Sequence, residues 1–329
     1  MLRRRLGLRL RLLATVTALA LIASGCFTIT LPFYRVNTPV DSTAKGAPTI
    51  TETFRIGPYD LAPMGQPGFD ELGTRTMPRP SGHVAIKRID WAVVDGNGTA
   101  IGLDKVHLHH IVMVDESRPD PLCPTVGTRF AGTGAERTPQ VLFGNYAYVA
   151  RPADVWWSTF HVHTTSPAAV SDVYVQYKIQ YEQVSDPADY RHVTPYFLDV
   201  TGCWENSASE YDVPGGGGPG STHVATATYT AAQDGVLVYA GAHIHAGGKQ
   251  ATLTRDATGE DYCTANASYA PGGHPSHPNL GQLQTISWCK LHVEVKAGEQ
   301  YTMQSHYDNE YPVAKAMGIM LAYVWHPDS

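Results

Sequence analysis

Val236 to Leu253 reads VLVYAGAHIHAGGKQATL, two runs rich in strand-forming residues separated by a patch of small ones. Val, Ile, Tyr and Thr suit a pleated, half-buried surface, so the stretch predicts strand, turn, strand. Side chains at i and i+2 of a strand share a face, which points His243 and His245 the same way. Gly241, Ala242, Ala246, Gly247 and Gly248 crowd the pair with little bulk and leave room beside the imidazoles. Two neutral imidazoles at this spacing make a bidentate grip on a transition metal. An isolated His-x-His is as readily a pair of hydrogen-bonded surface histidines, so its company decides.

The same pattern repeats outward. TETFRI, HVAIKRIDWAVV, KVHLHHIVMV, VWWSTFHVHTT, SDVYVQYKIQYEQ and TPYFLDVTGCW precede it; TISWCKLHVEV, QYTMQSHYDN and MGIMLAYVW follow. Asp95-Gly96-Asn97-Gly98 is a hairpin-turn signal, whereas Glu116 to Pro139, with Pro119, Pro121 and Pro124, reads as loop. With 31 Gly and 23 Pro in 329 residues and no helical run beyond a couple of turns, the chain predicts an all-β protein. Gly215 to Gly220 cannot hold regular structure cheaply, and no Lys-Ser/Thr follows to make a phosphate cradle. The expected layout is therefore two β-sandwich domains in tandem, 51–204 and 223–329, joined by a linker at 205–222.

The net charge of −6 and the lack of a basic stripe argue against nucleic acid as a partner. Residues 1–26 read as an export signal: an arginine-rich head, an apolar stretch from Leu12 to Ile22 and the small-residue exit Ala23-Ser24-Gly25-Cys26. Such an exit resembles a bacterial lipobox, so the only expected membrane attachment is a lipid on Cys26, with 27–50 as a tether. The expected location is the cell envelope, as a lipoprotein or secreted. Cys123, Cys203, Cys263 and Cys289 remain, an even number in an exported chain, and no C-x-x-C pair favours zinc. Three pairings are possible; sequence order suggests Cys123–Cys203 and Cys263–Cys289.

Of the 15 histidines, seven cluster on three predicted strands: His107, His109 and His110; His161 and His163; His243 and His245. The others read as surface residues, with His306 in SHYDN the least secure of them. The ordered set HHIVMV, TFHVHTTS, YAGAHIHAGG and KAMGIMLAYVW resembles the copper type II, ascorbate-dependent monooxygenases, the group of peptidylglycine α-hydroxylating monooxygenase and dopamine β-monooxygenase. That resemblance implies two jelly-roll-like domains and two coppers per chain. It places an electron-transfer copper on His109, His110 and His163, and a dioxygen-binding, catalytic copper on His243, His245 and Met317, with Met317 chosen over Met320. It further implies that a small organic substrate is hydroxylated at a C–H bond, with dioxygen and ascorbate or a similar reductant consumed.

The residues themselves qualify this. Neighbours on a regular strand face opposite ways, so His109 and His110 can share a metal only at a bulge or strand end; alternation alone favours His107 with His109. His161 shares a face with His163 and suits an orienting role. Methionine in an apolar strand is ordinarily core filling, although a thioether suits Cu(I). Gly241 and Leu321 stand where peptide-specific members of that family carry substrate-holding Arg and Tyr, which argues against a peptide substrate. A copper-handling protein without turnover, and a surface sandwich with incidental histidines, are the alternatives. No G-x-S-x-G elbow supports a hydrolase.

Overall fold

Alternation writes itself directly into burial. In WWSTFHVHT, Trp156, Ser158, Phe160, Val162 and Thr164 point inward while Trp157, Thr159, His161 and His163 stay half-buried on the other face. The computed structural model describes residues 47–203, 209–271 and 280–327. The expected signal with Cys26, most of the tether, residues 205–208 of the expected linker, His274 and His277 lie outside them.

Twenty strands run through the described residues, with one short 3₁₀ turn and no α-helix. The first half carries β1 (Ile50–Leu61), β2 (Asp70–Thr76), β3 (Val84–Val94), β4 (Val106–Pro119), β5 (Gly127–Thr133), β6 (Gln140–Val141), β7 (Tyr146–Ala150), β8 (Trp156–Thr164), β9 (Val170–Gln183) and β10 (Arg191–Asp199). The second carries β11 (Tyr211–Val213), β12 (Thr222–Thr230), β13 (Gly235–Ile244), β14 (Gly248–Arg255), β15 (Glu260–Tyr269), β16 (Leu283–Ile286), β17 (Trp288–Val295), β18 (Gln300–Asp308), β19 (Val313–Ala316) and β20 (Gly318–Trp325). The protein is all-β and built as two jelly-roll-like sandwiches.

One sheet runs through both, in the order β1-β9-β3-β7-β10-β20-β13-β17, with β6 beside β3. A four-stranded sheet, β2-β8-β4-β5, covers the first part of it, and a five-stranded sheet, β12-β18-β14-β15-β16, covers the second. The join is β10, parallel to β7 at Arg191 and His192 and antiparallel to β20 from Val193 to Asp199. Strand β20 is buried on both faces: Ile319, Leu321 and Tyr323 enter the first core, Met320, Ala322 and Val324 the second. This is why GIMLAYVW is apolar throughout instead of alternating. Tyr239 and Tyr323 fix the seam by donating their hydroxyls to the carbonyls of Pro139 and Phe130, at 2.7 and 2.6 Å.

Three local expectations need revision. The Asp95–Gly98 turn forms, closed by Gly98 N–H donating to the Asp95 carbonyl at 2.9 Å. Only a single bridge, Val94 to Ala100, follows it, and the chain then crosses to the other sheet, so β3 and β4 never pair. Glu116 to Pro139 contains β5, whose alternation is masked by Arg129, a fully buried cation held bidentately by Asp120 at 2.9 and 3.1 Å. The glycine-rich segment is packed chain: β11 pairs with β19, and Gly217 N–H donates to the Asn309 carbonyl at 3.0 Å. The disulfides are Cys123–Cys203 and Cys263–Cys289, closing sequence separations of 80 and 26. Loops of those lengths stabilise the fold by roughly 3–5 kcal/mol each on chain-entropy grounds.

Candidate metal centre

His109 is the residue on which the site turns. Strands β4 and β8 pair His107 with His163, Leu108 with Val162 and then His110 with His161, so His109 is the extra residue of a β-bulge. The bulge cancels the alternation that would set His109 and His110 on opposite faces. Their Nδ1 atoms lie 3.0 Å apart. From the other side of the seam, the end of β13 brings His245 to His109, ring centres 4.2 Å apart, with His243 5.1 Å from His245. Among the described residues, His109, His110 and His245 form a group whose ligand nitrogens all fall within 4.8 Å of one another.

The second-half imidazoles are held at Nδ1 and turned so that Nε2 faces inward. His245 Nδ1 lies 2.7 Å from the Lys315 carbonyl, an acceptor, so that nitrogen carries the proton. His243 Nδ1 lies 3.0 Å from Glu136 Oε1, and Glu136 is fully buried on the turn after β5. Gly134 N–H donates to the same oxygen at 2.8 Å. A Cβ on Gly134 would sit 2.4 Å from His243 Cε1 and 2.7 Å from the His109 carbonyl, so only glycine lets the ring seat there. Tyr307, buried inside the second sandwich, ties two other parts of the site together. Its hydroxyl accepts from His245 N–H at 2.7 Å and donates to the Met317 carbonyl at 2.6 Å.

Burial and crowding keep His109, His110 and His245 neutral. Burial first, then His243 and His161 nearby, push His110 down to about 3; burial, then His245 and other neighbouring imidazoles, push His109 further below the ordinary histidine range. His245 is also held well below that range by burial and then by His243 and His110. Neutral rings present lone pairs, the form a metal needs. The Nε2 atoms of His243 and His245 are buried and have no hydrogen-bond partner, a cost that coordination would remove. Nitrogen-rich donors with second-sphere oxygen partners on Nδ1 fit a late first-row ion such as copper.

The expected ligands thus regroup. His109, His110, His243 and His245 converge, whereas the ring of His163 stacks on His107, 4.9 Å between centres, and lies 6.0 Å from His109. His161 is nearer, 4.7 Å from His109, and contacts Asp70 at 3.4 Å. Met317 is buried and lines the same cavity as His109, His110 and His243, while Met320 belongs to the second core. His306 lies on β18 one residue before the inward-facing Tyr307, outside the group. Sequence reasoning missed Glu136, Gly134, Tyr307 and the Lys315 carbonyl. Glu136 left one trace, a lone carboxylate between Ala135 and Arg137 in a stretch otherwise read as loop.

No curated protein matches the chain significantly. Among solved structures, PNGase F, a glycosylasparaginase from Flavobacterium meningosepticum, is similar at 9% identity and TM-score 0.39, over 84% of this chain and 95% of that one. The STIV MCP is similar at 9% identity and TM-score 0.26, over 82% and 97%. Residues 160–326 match the family described as stress up-regulated Nod 19. This overturns the resemblance to the copper type II monooxygenases, which rested on histidine patterns of two and three residues that here converge on one cluster. The match spans just over half of the 329 residues, and the chain belongs to the stress up-regulated Nod 19 family.

Proposed function

We propose that this protein is an extracytoplasmic copper protein that oxidises a small organic substrate with dioxygen and a one-electron reductant such as ascorbate. The observation that carries the reading is the convergence of His109, His110 and His245, with ligand nitrogens within 4.8 Å, beside a cavity of about 600 Å³. Among the described residues one compact cluster forms, which supports one ion there in place of the two that the sequence resemblance implied. Copper bound there would supply one-electron redox chemistry and dioxygen activation.

The chain's own residues define how such an ion is held and approached. Lys315 O fixes the tautomer of His245, and Glu136 fixes the ring of His243. Tyr307 couples the backbone of His245 to that of Met317, so the two cannot shift independently. His243 lies on the cavity wall with His109 and His110, where a substrate would meet the cluster.

A second reading, copper binding without turnover, draws on the same cluster. His161 and His243 stand beside the three-histidine group, enough imidazoles to close the coordination sphere. Oxygen uptake separates the two. The catalytic reading expects ascorbate-dependent oxygen consumption by copper-loaded protein, above free copper at equal concentration and abolished in His245→Ala. Tight copper binding with no uptake above that control sinks turnover and leaves the second reading.

A further inference from the structure

We propose that the cavity beside the histidine cluster binds an uncharged, chiefly apolar small organic molecule, seated against His110 and His243. This rests on the function proposed above only for what becomes of the molecule once bound; the binding itself follows from the walls. At about 600 Å³ the cavity falls in the range of small-molecule sites. Its walls are chiefly apolar, with Val112, Phe160, Phe197, Ile319 and Leu321 among the lining residues.

Beside the histidines, where the Nε2 atoms of His161 and His243 have no hydrogen-bond partner, several polar side chains on the wall are already engaged. Gln140 Nε2 donates to the Gly132 and Thr138 carbonyls at 2.8 and 3.0 Å, and its Oε1 accepts from Trp91 at 2.9 Å. Thr138 donates to the Ile286 carbonyl at 3.3 Å. The two side chains of formal charge that line the cavity, Glu210 and Lys315, pair with each other at 3.4 Å. A carboxylate, phosphate or ammonium ligand would therefore lose its hydration without gaining a buried opposite charge, a cost that disfavours it. An uncharged apolar ligand meets no such cost.

Two further features fit a site that admits a ligand. Gly241 lines the cavity, and a Cβ there would lie 2.2 Å from the Tyr239 hydroxyl, which the Pro139 carbonyl holds at 2.7 Å. The wall is thus kept bare at that point. Leu72, on strand β2 at the edge of its sheet, is 68% exposed yet also lines the cavity. An exposed leucine at the mouth offers an apolar first contact to an incoming ligand.

The test uses the full chain free of metal and two fluorescent probes on related ring systems, uncharged N-phenyl-1-naphthylamine and anionic 1-anilinonaphthalene-8-sulfonate. The uncharged probe is expected to bind at one site, at least about tenfold more tightly than the sulfonate, since burying an unpaired charge is the larger penalty. Thr159→Trp, which fills the cavity from a half-buried wall position, and Leu72→Glu, at the exposed mouth, should each weaken it at least about fivefold, with circular dichroism and melting unchanged. Equal binding of the two probes, or binding indifferent to both substitutions, overturns the proposal. Probe binding by a chain that takes up no copper upholds this site and removes the copper reading. Copper uptake with no probe binding removes this site and leaves the copper reading intact.

Discussion

His109→Ala is expected to lower copper affinity by roughly three orders of magnitude while the fold persists. His109 is the bulge residue that stands closest to both His110 and His245, so its loss separates the two remaining ligands of the group. Structural zinc sites are worth on the order of 10–16 kcal/mol, and on that scale one ligand of three accounts for about 4 kcal/mol. At 1.4 kcal/mol per tenfold, that is about a thousandfold. The side chain is half-buried and its removal opens toward the cavity, which limits the structural cost. Competition titration against a chelator of known affinity measures the change. His107→Ala is the control, because that ring stacks on His163 and lies 6.3 Å from His109. Equal losses in the two variants would contradict the assignment.

Tyr307→Phe is the second large effect, and it acts on stability first. The hydroxyl satisfies His245 N–H and the Met317 carbonyl from inside the second core, where no part of Tyr307 meets solvent. Phenylalanine keeps the packing and strands both backbone groups. Each buried group left unsatisfied costs about 1–3 kcal/mol, so the variant should lose about 2–6 kcal/mol in urea unfolding. Because the same hydroxyl sets the position of His245, copper affinity should also fall by about 10–100-fold, as for other second-sphere partners. A destabilised variant with unchanged copper affinity would show that Tyr307 supports the core alone.

Much of this was legible in the chain. Period-two alternation in WWSTFHVHT and the uninterrupted apolar run of β20 both state their burial, and the three histidine clusters do converge. The regrouping was not legible, because it depends on register. Whether His109 and His110 share a face is decided by one extra residue opposite β8, and nothing in VHLHHIVMV fixes that partner strand. Likewise His245 reaches His109 only because one sheet runs through both sandwiches, a join made by β10 and hidden behind the expectation of separate domains. Glu136 and Tyr307 act across 107 and 62 positions of sequence, and such partners leave no local signature. The family was misread for a related reason: short histidine motifs report a capacity to bind metal and little about ancestry.

The proposed transition-metal centre is formed jointly by both halves of the chain. The direct measurement is copper bound per chain, with the nitrogen hyperfine pattern of the Cu(II) form, in the protein and in His245→Ala. The expected result is one copper with about three imidazole nitrogens, and a weakened site with one nitrogen fewer in the variant. No tight copper, or two coppers of which His245→Ala removes one and leaves the other unperturbed, would contradict it.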